Sequence, residues 1–65
     1  MSSIREHYLE IIRLYENAIS IQDRLIENSR RLGLPVAPDE AFLQSMRDGL
    51  AAEYRAMNRS ARRDD

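Results

Sequence analysis

Arg30-Arg31-Leu32-Gly33-Leu34-Pro35-Val36-Ala37-Pro38-Asp39-Glu40 is the stretch on which the fold turns. Gly33 suits the left-handed position just past a helix C-terminus, and Arg30 and Arg31 place cations in the last turn, where the helix dipole is negative. Pro35 has no backbone donor and biases Leu34 toward extended conformations, so the preceding helix cannot continue. Pro38 fits the first position of a new helix, with Asp39 and Glu40 as first-turn anions. One helix ends here and another begins.

Outward from this turn, nothing breaks the helical pattern back to Ser3, which pairs with Glu6 as a capping box. The expected organisation is a single domain over residues 1–65: helix 1 over about 4–32, a turn at 33–37, helix 2 over about 38–59, and a frayed tail at 60–65. The fold class is all-α, an antiparallel helical hairpin expected to dimerise into a four-helix bundle.

The dimer follows from the width of the apolar surface. In helix 1, Ile4, Tyr8, Ile11, Tyr15, Ala18, Gln22, Leu25, Ser29 and Leu32 follow heptad spacing. Ile12, Ile19 and Ile26 flank this seam on one side, Leu14 and Ile21 on the other, so the apolar arc exceeds roughly 150° at 100° per residue. One neighbouring helix covers less than that. The expected dimer interface is therefore Ile12, Tyr15, Ile19, Ile26, Leu14 and Ile21. Helix 2 presents a narrower stripe of Leu43, Met46, Leu50, Tyr54 and Met57, flanked by the small residues Ser45, Gly49, Ala52 and Ala56. A mirror point at Leu34 to Val36 predicts Gln22 opposite Gly49, Leu25 opposite Met46 and Tyr15 opposite Ala56. Gln22, Ser29 and Glu53 fall inside these stripes, which is consistent with a polar layer that sets register or, for Glu53, with a solvated end of the bundle.

Composition supports association over chemistry. A 65-residue chain without Cys has neither disulfides nor thiolate metal sites to supplement a small core, which leaves oligomerisation. With a single His, His7, a structural zinc site would need mostly carboxylates, so no metal or cofactor is expected. His7 reads as a surface residue. The i, i+4 carboxylate pairs Glu6/Glu10 and Asp23/Glu27 are interleaved with Arg and read as solvated ion-pair faces. There is no phosphate-binding Gly-rich loop and no Ser-His-Asp set, so no catalytic residue is assigned and an enzyme is not expected.

All ten basic residues are Arg, yet the net charge of −1 argues against a general nucleic-acid binder. No run is long and apolar enough to span a bilayer, and the N-terminus lacks a signal-peptide pattern, which makes the cytoplasm the expected location. Tyr8 and Leu9 at the free end of helix 1, with Arg55, Arg59, Arg62 and Arg63 at the end of helix 2, are the expected partner-binding residues.

The hairpin layout resembles that of the Rop family of plasmid regulators, which pair into a four-helix bundle and bind RNA loops. The likeness is of layout alone, and no RNA-contacting residue carries over. Gly33-Leu34-Pro35-Val36 before Pro38-Asp39-Glu40 is similar to the interhelix linker of the all-helical chorismate mutases, whose active site requires a Lys, which this chain lacks. The expected function is a small homodimeric regulatory module, an inhibitor, adaptor or accessory factor that docks on another protein. The alternatives are a Rop-like nucleic-acid-binding dimer using the Arg cluster, and an assembly subunit of a larger complex.

Overall fold

The computed structural model describes residues 3–63, with side chains through residue 60. Helix α1 spans Ile4–Arg31. Ser3 caps it from an extended conformation, and its hydroxyl accepts the Glu6 N–H at 3.1 Å. At the other end Gly33 adopts φ 75°, its N–H donates to the Arg30 carbonyl at 3.1 Å, and the Leu34 N–H donates to the Ser29 carbonyl at 2.8 Å. This pair of bonds is a Schellman motif, which satisfies orphan carbonyls of the last turn and folds the chain back along the helix.

Helix α2 spans Ala37–Arg63. The Glu40 N–H donates to the Val36 carbonyl at 2.8 Å, which closes the first turn. Pro38 is thus the second helical residue and not the first, a position whose N–H would also lack an intrahelical acceptor. The helix runs past the expected end at Arg59 and through part of the segment expected to fray. Tyr8 of α1 still lies alongside at that level and lines one hollow with Ala56, Arg59 and Ser60, so the last turns of α2 have something to pack on. Asp64 and Asp65 lie outside the described residues.

The two helices meet along heptad rows. On α1 the interior row is Tyr8, Ile12, Tyr15, Ile19, Gln22, Ile26 and Ser29, and opposite it stand Val36, just before α2, and Asp39, Leu43, Met46, Leu50, Glu53, Met57 and Ser60 of α2, all buried or half-buried. Ile26, Leu43 and Met46 form the centre, with Tyr15, Ala18, Ile19 and Val36 packed around it. Two residues expected at a dimer interface are therefore interior to the hairpin: Ile12 is 3% exposed and Ile26 5%. Alternating steps of three and four on both helices are the pattern of knobs-into-holes packing.

The register also departs from expectation. Tyr15 rests on Gly49 and not on Ala56, seven positions nearer the turn. Gln22 is buried and its Nε2 donates to Asp39 Oδ1 at 3.4 Å, where Gly49 was expected opposite it. Leu25, expected against Met46, is 52% exposed. The linker is the cause: after the Schellman turn residues 34–36 are non-helical and cover about twice the length per residue of a helix, so α2 starts further back beside α1 and both pairs shift toward the turn.

Gly49 belongs to this register. A Cβ built there would stand 2.7 Å from the Tyr15 hydroxyl and 2.9 Å from ring atom Cζ, inside van der Waals contact. Gly49→Ala should normally gain about 1 kcal/mol of helix propensity. Here the far end of the Tyr15 ring must swing aside to admit the methyl, so the expected result is that most of that gain is lost, read as a urea midpoint close to the parent's. Tyr15→Leu in the Gly49→Ala background should restore the propensity gain, and a Gly49→Ala variant that shows the full gain of about 1 kcal/mol would refute the contact.

Candidate protein-docking surface

The hairpin has two unlike broad faces. On one, Asp23, Glu27 and Arg30 of α1 lie beside Glu40, Gln44 and Arg47 of α2. Arg30 is paired with Glu40, and Arg47 approaches Asp23 at 3.6 Å. Both pairs are about half exposed, so each contributes little to stability. They mark the face as solvated.

The other face is apolar. Ile11, Leu14, Ala18, Ile21 and Leu25 each stand one position before an interior residue of α1, a row turned by about 100° from the interior row. Leu14 is 64% exposed and Ile21 57%. Across from them, one position before the interior residues of α2, stand Phe42, Ser45, Gly49 and Ala52, exposed except for the half-buried Gly49. Ile11, Leu14, Tyr15, Ala18 and Met46 line a groove of about 320 Å³ on this face. None of these side chains carries a formal charge. Two heptad rows about 100° apart give a helix two packing neighbours, which is what each helix of a four-helix bundle has.

The expected interface residues thus divide. Leu14 and Ile21 are on the open face, Tyr15 lines its groove, Ile19 is half-buried in the hairpin, and Ile12 and Ile26 are closed within it. The face also recruits residues assigned from sequence to the hairpin seam, Ile11, Ala18 and Leu25, together with Phe42. Their signal was present as the spacing 11, 14, 18, 21 and 25, but it was merged with the interleaved row that α2 covers.

The expected partner-binding residues divide as well. Tyr8 and Arg59 come together around a hollow of about 280 Å³ at the pole opposite the turn. Leu9 lies apart, among Glu6, Glu10 and Arg13. Arg55 is exposed. The Arg62 and Arg63 side chains lie outside the described residues. His7 is exposed and meets the Tyr8 ring edge-on, with centroids 6.2 Å apart. Among the described residues no three His, Asp or Glu side chains gather as metal ligands. No described helix is long and apolar enough to cross a membrane.

These features define a two-helix all-α hairpin with one solvated and one apolar face. In comparisons with protein-family models, curated proteins and solved structures, nothing matches this chain.

Proposed function

We propose that the chain is a homodimeric protein-binding module of the regulatory kind, an inhibitor, adaptor or accessory factor. Two hairpins pair through the Ile11 to Leu25 face into a four-helix bundle, and the pole carrying Tyr8 and Arg59 docks on another protein. The observation that carries this reading is the second heptad row of α1, apolar and with Leu14, Ile21 and Leu25 each more than half exposed. Its weight comes from the core beneath it. Among the described residues only Ile12, Ile26, Leu43 and Met46 are buried hydrophobics, and no side chain is fully buried. Covering a second apolar row stabilises such a hairpin at about 25 cal/mol per Å² removed from water.

Sedimentation equilibrium at micromolar concentration should return twice the chain mass of 7.6 kDa. The melting temperature should rise with protein concentration, as mass action requires of a fold coupled to association. A stable monomer with a concentration-independent melt would overturn the dimer. For the pole, Arg59→Glu at an exposed position should abolish retention of a protein from nuclease-treated host lysate while the dimer persists. Binding to RNA that weakens steeply with salt would assign the pole to nucleic acid instead.

A further inference from the structure

We infer that the hollow between Tyr8 and Arg59 is a carboxylate-binding site that takes an Asp or Glu side chain from an acidic segment of the docking partner. The inference rests on the docking role proposed above for this pole and names its chemistry. The site follows from the register. Tyr15 lies against Gly49, and one heptad toward the free ends of the helices Tyr8 and Ala56 repeat that pair. Gly49 has no Cβ and admits the Tyr15 ring, whereas Ala56 carries a methyl at the equivalent place. Tyr8 stands with Ala56, Arg59 and Ser60 around an open hollow of about 280 Å³.

The residues lining this hollow include no carboxylate, which sets Arg59 apart. Arg30 and Arg47 share their hollow with Asp23, Glu27 and Glu40, and Arg13 shares its own with Glu6 and Glu10. Among the described residues Arg59 belongs to neither ion pair, and the Tyr8 and Ser60 hydroxyls make no side-chain hydrogen bond. A guanidinium is a planar fork of N–H donors that meets a carboxylate in two parallel hydrogen bonds, and a hydroxyl donates to a lone pair that the fork leaves over. The Tyr8 ring and the Ala56 methyl offer an apolar wall to the methylenes of the entering side chain. Arg55, exposed one turn earlier on α2, draws neighbouring acidic residues of the same segment at longer range. A nucleic-acid strand is held by several cations spaced along its backbone, whereas a single guanidinium lines this hollow and the chain carries a net charge of −1. The charge balance favours a carboxylate.

The probe is an end-capped hexaglutamate peptide, titrated into the isotope-labelled full chain and followed by amide resonances. Those of Tyr8, Arg59 and Ser60 should shift to saturation, and the matching hexaglutamine peptide should bind at least about tenfold more weakly, as loss of a charge-assisted hydrogen bond implies. Arg59→Gln should cost at least about tenfold in the dissociation constant and Tyr8→Phe about threefold with an unchanged melt, while Arg13→Gln, beside Glu6 and Glu10, should stay within about twofold of the parent. Equal binding of the two peptides, or equal losses at Arg59 and Arg13, would overturn the site in favour of unspecific charge attraction. Tighter, Arg59-dependent binding of a short RNA oligomer would overturn the carboxylate in favour of phosphate. A peptide that fails to bind, while Arg59→Glu still abolishes retention of a host protein, overturns the carboxylate and keeps the docking pole. An Arg59-dependent peptide site on a chain that retains no host protein keeps the site and overturns the docking role.

Discussion

Ile21→Asp is expected to abolish the dimer at concentrations where the parent chain is fully paired. Ile21 is 57% exposed in the hairpin, so the substitution meets no steric objection within one copy. In the proposed bundle the same position is covered, and an uncompensated buried carboxylate costs on the order of 3–5 kcal/mol. Two-fold pairing introduces the charge twice, so the dissociation constant should rise by more than about 1,000-fold. Because the hairpin core is small, helical circular dichroism should fall together with the sedimenting mass. Ser20→Asp adds the same charge at an exposed site away from both rows and serves as the control; its mass and melt should match the parent. An Ile21→Asp protein that remains dimeric would remove this face from the interface.

Ile26→Ala should have the largest effect on the hairpin itself. Ile26 is at the centre of the core with Leu43 and Met46, and truncating a buried Ile to Ala typically costs about 2–5 kcal/mol through lost transfer energy and the cavity left behind. Urea unfolding should show that loss at every protein concentration. The same truncation at Ile4, which is exposed at the start of α1, should stay below about 1 kcal/mol. Similar losses at the two sites would mean that the interior row is not the one described here. The comparison matters because Ile12 and Ile26 could serve either the hairpin or a dimer, and their burial within one chain assigns them to the hairpin.

Much of the fold is local and was therefore legible. Ser3 and Glu6 announce the start of α1, Gly33 its end, and Pro35 the break, because caps and turns are set by backbone donors and acceptors within a few residues. The end of α2 was harder to read, since residues 60–63 have weak local signals and the helix continues there beside Tyr8. The candidate surface was legible in outline only. An apolar arc too wide for one neighbour can be counted along α1, but counting does not say which half of the arc the neighbouring helix takes.

The sequence by itself determined that there are two helices, where they join, and that α1 carries more apolar surface than α2 can cover. Tertiary structure decided the division of that surface. The Schellman turn sends α2 back along the row of Ile12, Tyr15, Ile19 and Ile26, and Gly49 accepts the Tyr15 ring there. In the row from Ile11 to Leu25, Leu14, Ile21 and Leu25 are left exposed. Neighbouring rows on a helix differ by a single residue step, about 100° of rotation. Periodicity reads both alike, and only the direction in which the chain leaves the turn separates the covered row from the one left for a partner.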